Sequence, residues 1–186
     1  MTEQQPDWEE RYAQPGYFCG TEPAQFLRGH LQELPRGAVL DLAIGEGRNA
    51  LFLARHGYRV YGVDQSTVGL AKAQARVRQL GLHAYLWAAD LERYPLPEAQ
   101  FEVVVCFYYL QRTLFPQMER ALRQGGALIM ETYTIEQLPC RHGPSNPEHL
   151  LQPNELYRAF RHLRVVHYRE MIKEERATAS LLAFRG

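Results

Sequence analysis

Asp41, Gly45, Gly47, Asp64 and Asp90 are spaced along the first half of the chain as groups that could hold a nucleotide. The two glycines lie in Asp41-Leu42-Ala43-Ile44-Gly45-Glu46-Gly47-Arg48-Asn49-Ala50, behind the apolar start Val39-Leu40. Without Cβ atoms they let the backbone turn tightly and let a ligand come close to it, although a strand-to-helix turn also wants glycine for its own sake. Asp64 closes the next apolar run, Tyr58 to Val63. A carboxylate at that distance from the turn, about twenty residues on, can accept from both hydroxyls of a ribose. Asp41 is inside the first run, and a buried carboxylate there needs backbone N–H groups or a cationic ligand. It either braces the turn or meets an amino group such as that of a methionine moiety, and it would repel a pyrophosphate. Asp90, in Ala88-Ala89-Asp90-Leu91, either accepts from an exocyclic adenine amine, with Leu91 on the ring, or caps a turn.

The elements that must place these groups alternate. Ala38 to Leu42 reads as a short buried strand, Asn49 to His56 as a helix closed by Gly57, and Tyr58 to Val63 as a second strand. Ser66 N-caps a helix from Thr67 to Leu80 that Gly81 ends, and His83 to Ala88 is a third strand. Phe101 to Phe107 is the strongest buried-strand signal; Phe115 to Arg123 is a helix that stops at Gly125-Gly126, and Ala127 to Thr132 is a fifth strand. Strands alternating with helices in this way predict an α/β, doubly wound parallel sheet.

The flanks differ. Residues 1–34 are aromatic and turn-rich, with Trp8, Tyr12, Tyr17 and Phe18 around Pro15-Gly16 and then a short helical pattern through Phe26, Leu27, His30 and Leu31. They suit a lid or leading segment. Residues 134–153 form a loop, rich in Pro, His and Arg from Leu138 to Pro153, with no packed-core pattern and enough length to suggest function. Within 154–186, a helix from Asn154 to Phe160 precedes strands at Leu163 to Met171 and Arg176 to Phe184. The charged turn Lys173-Glu174-Glu175 joins them as an antiparallel hairpin.

At 186 residues the chain fits a single domain, 1–186, with 38–133 as its cofactor-binding core. Lys and Arg number 21 against 21 Asp and Glu, so no net field draws a phosphate backbone, which argues against a nucleic-acid partner. Cys19, Cys106 and Cys140 are scattered singly, without CxxC spacing, which suits a reduced protein with no bound metal. The start of the chain lacks a signal-peptide pattern and no apolar stretch reaches membrane-spanning length, so a cytoplasmic location and no membrane partner are expected.

Asp41-x-Ala43-x-Gly45-x-Gly47, Asp64, Ala89-Asp90-Leu91, Phe101-Glu102-Val103-Val104-Val105 and Leu122-Arg123-Gln124-Gly125-Gly126, in that order, resemble the class I S-adenosylmethionine-dependent methyltransferases. Ala43 departs from the pattern, standing where that family usually has its first glycine. Gly47-Arg48-Asn49-Ala50, the compact size and Tyr109-Leu110-Gln111-Arg112 are similar to its small-molecule branch of tellurite-resistance and thiopurine-type enzymes. The resemblance implies a Rossmann-like, mostly parallel seven-stranded sheet with a C-terminal antiparallel hairpin. It also implies in-line methyl transfer from S-adenosyl-L-methionine to a heteroatom of a small-molecule acceptor, by a monomer or homodimer. Cofactor contacts would fall on Asp41, Ala43, Gly45, Gly47, Asp64, Gln65, Asp90, Leu91, Cys106 and Tyr17.

For the acceptor side, aromatic faces favour a sulfonium cation, and several are expected where the sheet edge would open: Tyr17 and Phe18 in the leading segment, Tyr108 and Tyr109 after the fourth strand and Tyr133 after the fifth; each could equally be packing. Arg112 and Arg141 could bind an anionic acceptor, and His142 could take a proton, unless they are solvated loop charges. Arg112, His142 and Tyr108 are the candidate catalytic residues; Arg112, Arg141, Tyr133 and Phe18 are the candidates for acceptor binding. Two other classes compete. Gly45-x-Gly47-x-x-Ala50 with Asp64 also satisfies the fingerprint of an NAD(P)-dependent oxidoreductase, against which stand Asp41, the lack of a Tyr-x-x-x-Lys pair and the terminal hairpin. A non-catalytic cofactor-binding module is the other.

Overall fold

The computed structural model describes residues 8–140 and 142–186, in two compact units that divide between Pro95 and Leu96. In the first unit, β1 (Ala38–Leu42), β2 (Arg59–Asp64) and β3 (Ala84–Ala88) lie side by side in the order β3-β2-β1, all parallel. All five residues of β1 are buried, Asp41 included, as expected of a strand covered on both faces. Helix α1 (Trp8–Ala13) and helix α2 (Gln25–His30) make up the leading segment; α3 (Arg48–Arg55) follows β1 and α4 (Thr67–Gln79) follows β2. Ser66 caps α4 by accepting from the Gly69 N–H at 3.0 Å.

A second cap of α4 comes from far away in sequence. Glu9 of α1 accepts from the N–H groups of Thr67 (2.8 Å) and Val68 (3.0 Å) and from the hydroxyls of Ser66 (2.8 Å) and Thr67 (3.0 Å). Free donors and a positive dipole end both favour a carboxylate there. The Ser66 hydroxyl first, then the Val68 N–H, hold the Glu9 carboxyl down at about 2 against an ordinary 4.5. A depressed carboxyl stabilises the fold above its unfolded value and loses that contribution as pH falls through the folded one. Acidification from about pH 4.5 toward 2 should therefore release α1, which Trp8 fluorescence would follow in a Glu9→Gln comparison.

In the second unit, β4 (Phe101–Phe107) pairs in parallel with β5 (Leu122–Tyr133), β5 antiparallel with β7 (Arg176–Phe184), and β7 antiparallel with β6 (Arg164–Lys173). The terminal hairpin is as expected. The helix before β5 is shorter than the sequence suggests: α5 spans Phe115–Ala121, and Leu122–Gly126, expected as helix end and turn, is extended. A register shift between Phe101 and Val103 against β5 absorbs the extra length. Gly125 and Arg185 fix it, with bonds from the Gly125 N–H to Arg185 O and from the Arg185 N–H to Gly126 O, each 2.8 Å.

The loop 134–153 is not without a core pattern. Leu150 and Leu151 are fully buried, and Leu151 forms a bridge with Thr134. Gln137, also buried, fixes the loop by donating to the carbonyls of His142 (2.5 Å) and Glu175 (3.0 Å) and accepting from the Ala177 N–H at 2.7 Å. Helix α6 (Glu155–Phe160) follows, with Asn154 as its N-cap residue rather than its first turn.

Candidate functional site

At the end of β1 the chain turns through three left-handed residues at alternate positions. Ala43 adopts φ +53, in the left-handed region, and Gly45 and Gly47 follow at φ +54 and +83. The turn is tied to β2: the Ile44 N–H donates to Val63 O at 3.1 Å and the Gly45 N–H to Asp64 Oδ2 at 2.7 Å. A Cβ on Gly45 would stand 2.6 Å from the Tyr12 hydroxyl oxygen, and one on Gly47 would stand 2.9 Å from Ala73 Cβ. Glycine is required at both places by contact as well as by conformation. Ala43 has the conformation without the freedom, so Ala43→Gly should raise stability by about 0.5–1 kcal/mol, read as a higher Tm in thermal unfolding.

Asp64 is 6% exposed. Its Oδ1 accepts from the Ser66 N–H at 2.8 Å while Oδ2 holds Gly45. Burial raises its pKa, outweighing the N–H groups of Ser66, Gly45 and Gln65 that lower it. Asp41 is more deeply enclosed, at 2% exposure. Burial first, and the charge of Asp64 second, push it up to about 8, while Arg48 and the Ala50 N–H work the other way. Asp41 Oδ2 has no hydrogen-bond partner among the described residues. Asp41 thus accepts from the Ala50 N–H in α3 and keeps one buried oxygen that no described residue engages.

The leading segment lies on this turn. Tyr12 is buried against Gly45 and Gly69, the Cys19 N–H reaches Glu46 (3.4 Å), and Lys72 Nζ holds Glu46 (3.0 Å) and the carbonyls of Gln14 and Gly16 (2.8 and 2.7 Å). Asn49 accepts from the Ala24 N–H at 2.9 Å. Tyr17 lies beneath the Arg76 guanidinium, 4.7 Å from its ring centre, and Phe18 is exposed, edge-on to Trp8 at 6.1 Å. Gln65 is exposed and lines a cavity of about 240 Å³ with Trp8, Glu9 and Ser66. Asp90 is exposed; it accepts from the Glu92 N–H at 2.9 Å and lies 3.6 Å from Arg93, so in this structure it caps its turn, beside a buried Leu91.

The second unit holds the remaining candidates. Cys106 is fully buried in β4, its thiol against the Tyr109 carbonyl at 3.6 Å. Tyr108, at φ +59, donates through its hydroxyl to Glu131 Oε1 at 2.7 Å, and its ring lies 5.4 Å from that of Tyr133. Glu131 is buried, and its Oε2 accepts from the Ser180 hydroxyl at 2.7 Å. Arg112 is placed otherwise than an anion-binding role would have it. Its guanidinium is committed to both oxygens of Glu155 (2.6 and 3.0 Å) and to the carbonyls of Glu148 and Leu150 (2.7 and 2.9 Å). Such a bidentate pair ties the loop to α6. Arg112→Ala should therefore lower stability, by about 1–3 kcal/mol in chemical denaturation. His142 is exposed, and Arg141 lies outside the described residues.

Glu9 and Glu131 escaped the sequence reading, and Tyr12 was read there only as one aromatic of the leading segment. Glu131 had a signal of the same kind as Asp41, an acid within a strand-forming apolar run. Glu9 had none, since its partners are some 57 residues away.

Residues 39–126 match the model of a methyltransferase domain. A probable S-adenosylmethionine-dependent methyltransferase of Mycolicibacterium smegmatis is 32% identical over 123 residues, covering 62% of this chain and 46% of that protein. The 2-heptyl-1-hydroxyquinolin-4(1H)-one methyltransferase of Mycobacteroides abscessus is 27% identical over 118 residues, 63% of this chain and 50% of that one. The chain thus spans about half the length of these relatives. Among solved structures, TehB from Haemophilus influenzae superposes with a TM-score of 0.74 at 20% identity, over 86% of this chain and 61% of that one. Over residues 39–126 the chain is thus similar to methyltransferase domains, and its fold is that of TehB.

Proposed function

We propose that this protein binds S-adenosyl-L-methionine in its first unit and transfers the methyl group to a heteroatom of a small-molecule acceptor. The observation that carries the cofactor reading is Asp41 Oδ2, a buried carboxylate oxygen without a partner among the described residues, beside a turn that excludes Cβ atoms twice. Cationic amino groups answer such an oxygen, and pyrophosphates do not. Gly45 and Gly47 admit close backbone approach, and Asp64 has a lone pair left for a ribose hydroxyl beyond its bonds from the N–H groups of Ser66, Gly45 and Gln65. When bound, the cofactor supplies a methyl group on a positively charged sulfur. The protein's part is to orient the acceptor in line and to keep water out.

The leading segment serves as the cover. Glu9, Tyr12 and Lys72 fasten it to the turn and to α4, and it must lift for entry. Support for a small-molecule acceptor comes from the quinolone-methylating relative and from the neutral charge balance. The test is formation of S-adenosylhomocysteine against thiols, amines, hydroxyl compounds and small carboxylates. Turnover of at least one class is expected; tight cofactor binding with no turnover of any would identify a non-catalytic binding module instead.

A further inference from the structure

β3 ends the strand order of the first unit, with β2 on one side and no strand on the other among the described residues. An open edge is a template for another strand, and proteins guard such edges with charges, prolines or bulges. The edge strand of the second unit, β6, is guarded in this way. It carries Arg164, Arg169, Glu170 and Lys173, and its pairing with β7 shifts register between Val165 and His167. β3 has none of these devices: it is Ala84-Tyr85-Leu86-Trp87-Ala88, without charge, proline or register shift. Its side chains are also unlike those of a solvated edge. Tyr85 is 62% exposed and stacks on Tyr61 at 4.9 Å, and the exposed Tyr94 stands 6.2 Å from Trp87.

This edge is complementary to a copy of itself. The Ala89 N–H donates to Asp64 O at 2.9 Å, and main-chain groups alternate sides along a strand. Tyr85 and Trp87 therefore turn theirs toward β2, while Ala84, Leu86 and Ala88 turn theirs outward. Leu86 is the middle residue of the strand. A second β3 laid antiparallel about a two-fold axis at Leu86 sets Leu86 opposite Leu86 and Ala84 opposite Ala88. These are the outward-turned residues, and they meet as hydrogen-bonded pairs. The same register sets Tyr85 opposite Trp87 on both sides of the axis. Those are the non-hydrogen-bonded positions, where side chains come closest and aromatic pairs stabilise a sheet. At each end His83 of one copy falls opposite Ala89 of the other, next to the acid Asp90, and within the ladder no charge meets its like.

We infer that the protein forms a two-fold homodimer by pairing β3 with β3 of a second copy. The contact is isologous, so each copy spends its open edge once and assembly stops at two. It lies wholly within the first unit and is independent of methyl transfer.

Sedimentation equilibrium of the full chain over a range of concentrations tests the proposal. A mass twice the 21.5 kDa of one chain is expected, falling toward that of one chain on dilution. Ala84→Pro removes an outward N–H and leaves the bonds to β2 in place, as edge strands allow. Tyr85→Glu replaces the aromatic pair with a charge. Each should raise the dimer dissociation constant about tenfold or more, with circular dichroism unchanged, whereas Ile172→Glu, at an exposed position of β6, should leave it as it is. A single-chain mass at every concentration, undiminished association in the β3 variants, or dissociation caused by Ile172→Glu instead would each overturn the proposal. If Ala84→Pro does not fold, Tyr85→Glu still decides, since it alters an exposed side chain and no main-chain bond.

Discussion

S-adenosylmethionine should bind most tightly near pH 8, losing about tenfold in affinity for each unit of pH below that. The cause is Asp41. In the ligand-free protein burial and the neighbouring Asp64 raise its pKa to about 8, so at neutral pH it carries a proton. An amino group bound against Oδ2 favours the ionised form, and binding must expel that proton. Above pH 8 the amino group itself discharges, near the ordinary α-amino value of about 7.7–8.0, and affinity falls again. Asp41→Asn removes the titrating group, so its affinity should be lower at pH 8 and should lose the acid limb.

The same group makes a stability prediction of opposite sign. Its folded pKa, about 8, lies above its ordinary 3.8. Its contribution is complete below the unfolded value and is lost as pH rises through the folded one. The Tm of the ligand-free protein should therefore fall between pH 5 and 8 relative to that of Asp41→Asn, and saturating cofactor should restore it.

Asp64→Ala should damage both stability and binding. The carboxylate holds the N–H groups of Gly45 and Ser66 in a place that is almost sealed. Leaving both donors unpaired costs about 2–4 kcal/mol of stability. Loss of the ribose partner adds about 1–3 kcal/mol to the free energy of cofactor binding. Denaturation measures the first and calorimetry on the folded fraction measures the second. Asp64→Asn, which keeps one acceptor oxygen, should recover part of the stability. An unchanged Tm would refute the bracing role, and unchanged affinity would refute the ribose role.

The strands and the turn were legible because their signals are local. Val39-Leu40-Asp41-Leu42 is apolar on both faces, Gly45 and Gly47 mark a backbone no other residue suits, and Asp64 ends the next run. Where partners are distant, the reading failed. Leu122 to Gly126 is extended because Arg185, near the other end of the chain, pairs with it. Arg112 looked like an anion receptor; its partners Glu148, Leu150 and Glu155 are 36 to 43 residues away. Leu150 and Leu151 look like loop residues beside Pro and His, and only the bridge from Leu151 to Thr134 reveals them as core. Ala43 shows a further limit: sequence identifies it as a departure from the family pattern, and the structure adds that it pays a left-handed φ of +53 for standing there.

The central claim is the identity of the cofactor, and isothermal titration calorimetry at pH 8 addresses it directly. The account predicts saturable one-to-one binding of S-adenosylmethionine and S-adenosylhomocysteine, and none of NADH. Binding of NADH with no heat from S-adenosylmethionine would contradict it.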